Sequence, residues 1–180
     1  YLPYVAGINI GYASYCHHFD SAGITTSGSI QYIDYGTFTR TDETGKEEGT
    51  FRAGEYVIQV GGSRAVDSLF RVGVNLKYIT SQLDTYKASG IAADIGGVFQ
   101  KKALGLTVAA TLRNIGVMTR TYAGEKEDLP FQVQVASTFK FKHAPFRIGL
   151  SVDNIQQWDL TYDDPYQAAQ VDPTTGELVV

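Results

Sequence analysis

The chain has 180 residues, a net charge of −4 and 43% hydrophobic residues, with 19 glycines, 12 tyrosines, one methionine and one cysteine. That size suits one domain, and the absence of a basic excess argues against a nucleic-acid footprint. A lone Cys16 excludes an internal disulfide framework.

Taken in chain order, the sequence predicts strands at 5–15, 24–35, 54–64, 70–81, 90–99, 106–115, 131–141 and 146–155. No segment carries a 3.6-residue apolar period, and no run reaches the roughly 18 strongly apolar residues of a membrane helix. What recurs is alternation. In 70–80, Phe70, Val72, Val74, Leu76 and Tyr78 share one face, and Arg71, Gly73, Asn75 and Lys77 the other. Further on, Phe146, Ile148, Leu150 and Val152 oppose Arg147, Gly149, Ser151 and Asp153.

Each predicted strand is close to the 9 to 11 residues that a tilted strand needs to cross a bilayer, longer than the usual soluble strand of about 5 to 6. The pattern predicts an all-β, antiparallel transmembrane β-barrel with about eight strands visible. A soluble β-sandwich would alternate as well, since one face of an antiparallel sheet can meet water, but it does not call for such lengths.

The connections are expected to alternate. Those at 17–22, 65–69, 101–104 and 142–145 are tight, while 36–53, 82–89 and 116–130 are longer and polar. In outer-membrane barrels the short turns face the periplasm and the long loops the cell exterior. Aromatic residues gather at the strand ends, with Tyr4, Tyr35, Phe38, Tyr86, Tyr122 and Tyr162 toward the loops and Phe19, Phe70, Phe99, Phe139, Phe141 and Phe146 toward the turns. Amphipathic rings favour the headgroup level, which makes girdles of this kind. A weak repeat follows the same layout: Lys77-Tyr78-Ile79, Arg113-Asn114-Ile115 and Asp153-Asn154-Ile155 precede Tyr86, Tyr122 and Tyr162 at equal spacing.

Motifs for chemistry are sparse. The acidic loop Arg40 to Gly49 lacks EF-hand spacing and reads as a solvated surface loop. His17, His18 and His143 fall in expected periplasmic turns, where adjacent histidines on an extended chain diverge, so no metal site is expected. The inward charges Lys77, Asp94, Arg113, Lys140, Arg147 and Asp153 are expected to pair with one another. No Gly-x-Ser-x-Gly elbow, Walker loop, dinucleotide fingerprint or His-Glu-x-x-His motif occurs, so neither a catalytic residue nor a cofactor site is expected.

Three stretches carry a resemblance: IQYIDYGTFTRTDETG (30–45), LPFQVQVASTFKFKHAPFRIGLS (129–151) and NIQQWDLTYDDP (154–165). In this order they resemble the PorQ family of the Bacteroidetes type IX secretion system, which belongs with the FadL-like outer-membrane barrels. The resemblance implies a fourteen-stranded barrel in the outer membrane. Residues 1–165 would be part of that single barrel, and 166–180 an extracellular loop segment leading to further strands. It also implies a non-catalytic role anchoring the cell-surface attachment complex, with a PorU-like sortase, a PorV-like shuttle and a PorZ-like lipopolysaccharide-binding protein as partners. Outer-membrane lipid or lipopolysaccharide would surround the barrel. Outer loops at 39–52, 118–128 and 158–165 would then form the docking platform, with Trp158, Tyr162 and Tyr122 as candidate partner-binding anchors. A FadL-type channel for hydrophobic small molecules is the alternative; it calls for a continuous apolar lumen, and the inward Thr25, Ser27, Ser29 and Gln31 are polar.

Overall fold

A computed structural model describes residues 1–4, 7–122, 128–158, 170–171 and 178–179. The alternating segments form one antiparallel sheet: β1 (Leu2–Pro3), β2 (Asn9–Phe19), β3 (Ile24–Thr41), β4 (Glu47–Ala65), β5 (Phe70–Leu83), β6 (Tyr86–Lys101), β7 (Leu106–Arg120), β8 (Gln132–Lys140) and β9 (Arg147–Val152). Every strand pairs with its neighbours in sequence, from β1 at one edge to β9 at the other, and the sheet is open. The eight predicted strands correspond to β2 through β9, with the short β1 added. Within 166–180, expected as loop, β10 (Gln170–Val171) pairs with β11 (Leu178–Val179) as a separate two-stranded sheet.

The faces are segregated by the two-residue period. Because Ile30, Ile58, Tyr78, Ile91 and Val117 lie in register across β3 to β7, one face of the sheet is continuously apolar. That face stays uncovered: Ile58, Val60, Val72, Val74, Leu76, Ile91, Ile148 and Leu150 are all exposed. The opposite face carries Ser27, Ser29, Gln59, Asn75, Lys77, Asp94, Thr111 and Gln134, also aligned through the ladder. Among the described residues, the buried apolar side chains are only Ala53, Ala88 and Ala92. The chain exposes 13902 Å², where a compact soluble protein of 19.7 kDa exposes about 8,600 Å². The usual arrangement of a soluble fold, apolar inside and polar outside, is absent.

Two expected long loops are mostly strand. Residues 37–41 and 47–52 pair as a hairpin whose Phe38 and Phe51 rings stack at 5.4 Å, and only Asp84 and Thr85 separate β5 from β6. A hairpin that projects into water on both faces lacks apolar alternation, so its sequence looks like loop although Thr37, Thr39, Thr41, Phe38 and Phe51 all favour extended backbone. The asymmetry between the two ends of the sheet is therefore carried largely by overhanging strands. A second correction concerns His17 and His18, which belong to β2 and not to the turn after it; His143 does lie in the β8–β9 turn.

Register irregularities fall toward the overhanging end and at the middle of β6. Bulges interrupt β3–β4 between Asp34 and Gly36 and between Arg40 and Thr41, and β6–β7 between Ser89 and Gly90 and between Ala93 and Ile95. Bulges of this kind bend a strand and increase its twist, and they favour the rims of curled sheets. Gly116 marks a tight backbone approach of β7 to β6, since a Cβ there would sit 2.0 Å from the Ile91 carbonyl oxygen.

Candidate functional site

The sheet curls about its polar face, so that Tyr12 and Ser14 of β2 and Arg113 and Gln134 of β7 and β8 line one trough of about 730 Å³. Serine, asparagine and glutamine positions that the alternating pattern directs to one side contribute to its lining, with Val72, Val74, Ile95 and Val98 between them.

The most tightly organised group in this wall surrounds Lys77, which is only 7% exposed. Its Nζ lies 2.6 Å from Asp94 Oδ1 and donates to Asn114 Oδ1 at 2.5 Å. Asn114 adopts a left-handed backbone (φ 59°), which places its own N–H 2.9 Å from Asp94 Oδ1. The cause is the β6–β7 bulge, where Arg113 and Asn114 together face Asp94. Asparagine tolerates this conformation better than most residues with a side chain. Asn114 Nδ2 then donates to the Pro130 carbonyl at 2.8 Å, joining the wall to the segment that enters β8. A buried cation is costly unless paired and hydrogen-bonded, and both conditions are met here.

The expected mutual pairing of inward charges is only partly realised. Lys77 and Asp94 pair, whereas Lys140 and Arg147 lie directly opposite each other in the β8–β9 ladder, cation against cation. Sequence reasoning placed Asn114 in the repeat but gave it no part in the charged group. Its signal was the repeat: Asn114 and Asn154 occupy equivalent positions, and both have positive φ, 59° and 56°.

The three candidate anchors fare differently. Trp158 is 84% exposed and follows the turn in which Gln157 N–H donates to the Asn154 carbonyl at 2.9 Å. Tyr122 is half-buried, its hydroxyl hydrogen-bonded to Ser81 on the polar face of β5. Tyr162 lies outside the described residues.

At the overhanging end, the acidic hairpin tip is ordered by its own backbone. Asp42 Oδ1 accepts from the Thr44 hydroxyl at 2.7 Å, the Thr44 N–H at 2.8 Å and the Lys46 N–H at 2.9 Å. These bonds, the Thr44 hydroxyl foremost, hold its carboxyl below the usual carboxylate range. The carboxylate is thereby committed to the turn, and among the described residues no group of three or more His, Cys, Asp or Glu side chains is arranged to hold a metal ion. Asp84, in the β5–β6 turn, pairs with Arg40 of the neighbouring hairpin, and its N–H donates to the Arg52 carbonyl at 3.2 Å, so the two overhanging hairpins are tied together.

No family model matches the chain, and no curated protein matches it.

Proposed function

We propose that this sheet is part of a FadL-like antiparallel β-barrel of the bacterial outer membrane, and that the protein is a non-catalytic component of a type IX secretion system. In this role it anchors the cell-surface attachment complex that joins cargo proteins to lipopolysaccharide, alongside a PorU-like sortase, a PorV-like shuttle and a PorZ-like lipopolysaccharide-binding protein.

The observation that carries the membrane assignment is the inversion of the sheet, with one apolar face left uncovered and the Lys77–Asp94 pair on the opposite, polar face. In water, so large an exposed apolar surface would drive association; in hydrocarbon it is the required surface. Dimensions agree. From Phe70 to Thr80, at about 3.4 Å per residue and about 40° tilt, a strand covers about 26 Å, the height of the apolar band of an outer-membrane barrel. At the turn end of this band Phe70 and Phe99 lie in register with ring centroids 5.0 Å apart, in keeping with an interfacial aromatic row. β4, at 19 residues, exceeds the bilayer and extends on the hairpin side, which suits a surface-exposed platform.

The secretion-system assignment rests on the resemblance of residues 30–45, 129–151 and 154–165. The polar side chains that share the inner face, among them Ser27, Ser29, Gln59, Asn75, Lys77 and Asp94, favour an anchor over a channel for hydrophobic molecules. Affinity purification from outer membranes in mild detergent, followed by mass spectrometry, is the test. Recovery of a sortase with a lipopolysaccharide-binding surface protein is expected; recovery of the barrel alone, loaded with fatty acids, would move the assignment to transport.

A further inference from the structure

On the side of the short turns, the polar face ends in cations that lack a counter-charge. Lys140 and Arg147 oppose each other directly in the β8–β9 ladder, an arrangement that is destabilising for like charges. Lys102, in the 3₁₀ turn Lys102–Leu104 between β6 and β7, reaches the same place. Gly105 makes the turn possible: its φ is +67°, its carbonyl accepts from the Lys140 N–H at 2.9 Å, and a Cβ would lie 2.3 Å from the Lys140 carbonyl oxygen. The β6–β7 turn is thus pressed against β8. Between them lies a recess of about 170 Å³ lined by Lys102, Lys140 and Arg147 together with Gln100 and Thr107.

None of the three cations takes part in an ion pair among the described residues, where the four pairs are His18–Asp20, Arg40–Asp84, Arg52–Asp34 and Lys77–Asp94. The polar neighbours are already oriented. Gln100 Oε1 accepts from Arg71 Nη1 at 3.2 Å, and Gln100 Nε2 donates to Thr107 Oγ1 at 3.5 Å, which leaves the Thr107 hydroxyl proton free to donate. The residues that line the recess thus carry two ammonium groups, a guanidinium and a hydroxyl, all able to donate. Three cationic residues lining so small a recess suit a multiply charged oxyanion, and a guanidinium can engage such an oxyanion through two parallel hydrogen bonds.

We propose that this recess binds a phosphate group, either of a free phosphate ester or of an anionic lipid headgroup at the membrane boundary. Bound phosphate offsets the Lys140–Arg147 repulsion, so the ligand completes an otherwise unfavourable cross-strand pair. The site does not depend on which partner the opposite end engages.

The test uses the full-length protein in detergent, with heat-modifiable migration confirming that each variant folds. Inorganic phosphate is titrated calorimetrically, and retention of phosphatidylglycerol is followed by native mass spectrometry. We expect saturable binding at one site, weakened at least tenfold by Lys140→Gln and by Arg147→Gln, retained in Lys140→Arg, and unchanged by Arg120→Gln at the far end of β7. Saturable phosphate binding points to a free phosphate ester as the source, and retention of lipid without it points to the headgroup. Absence of both, or binding that survives the Lys140→Gln/Arg147→Gln double substitution, would overturn the proposal.

Discussion

Lys77 Nζ lies 2.6 Å from Asp94 Oδ1 across β5 and β6, and the same carboxylate oxygen accepts the Asn114 N–H from the bulge in β7. Three adjacent strands therefore meet at one carboxylate. Replacing Lys77 with Met leaves Asp94 without its cation. The expected loss is about 3 kcal/mol, the lower end of the range for breaking a buried pair, because Asp94 keeps partial contact with solvent. Asp94→Asn should cost similarly, and the double variant much less than the sum. Urea midpoints in detergent for the two single variants and the double would show this; strictly additive losses would mean that the pair is not coupled.

Gly116→Ala tests the close approach of β7 to β6. The added methyl would sit 2.0 Å from the Ile91 carbonyl oxygen, against backbone that cannot swing away as a side chain can. The expected outcome is a chain that fails to fold or unfolds at much lower urea. Gly62→Ala, where a Cβ meets nothing within 4 Å, is the matched control and should behave as the parent does.

Acidification should loosen the β3–β4 tip before the sheet. Asp42 has a depressed pKa, so its turn-stabilising bonds are fully present above the ordinary carboxylate range and are lost as pH falls through the lowered value. Amide shifts of Thr44 and Lys46, followed by NMR from neutral to strongly acidic pH, should titrate together below the ordinary range. Asp42→Asn should abolish that titration, and a midpoint at or above an ordinary aspartate would contradict the assignment.

Trp158, an exposed indole at the overhanging end, is the best placed of the candidate anchors for a partner. If it anchors the attachment complex, Trp158→Ala should weaken co-purification by about 2 kcal/mol or more, roughly thirtyfold in affinity. Tyr122→Phe, which removes only the bond to Ser81, should leave partner recovery intact. Equal recovery from Trp158→Ala and parent would remove Trp158 from the interface.

Much of the sheet was legible because alternation in a strand leaves little freedom: once Phe70, Val72 and Val74 share a face, so must their register partners Phe99, Gly97 and Ile95. The overhanging hairpins were not legible, since both faces of 37–41 and 47–52 are mostly exposed and the apolar alternation that marks the other strands is missing, although the threonines and phenylalanines there favour extended backbone. The Lys77–Asp94 pair could be foreseen from inward parity. Its third member could not, because Asn114 reaches Asp94 through its backbone N–H, and only the bulge brings it there. The meeting of Lys140 with Arg147 was hidden for another reason: parity put both on the polar face, but only the ladder register sets one opposite the other.

The strictly sequential order of the strands, β1 to β9, has a kinetic consequence. Nearly every ladder forms between segments joined by a short connection, the β7–β8 link at 121–131 being longer, so contact order stays low for a β protein and little loop-closure entropy must be overcome at most steps. Assembly can advance hairpin by hairpin, each added strand covering the free edge left by the last. The vulnerable species is then the growing edge rather than the finished ladder, and a chain that stalls midway presents unpaired backbone beside a bare apolar surface, the combination most prone to aggregation.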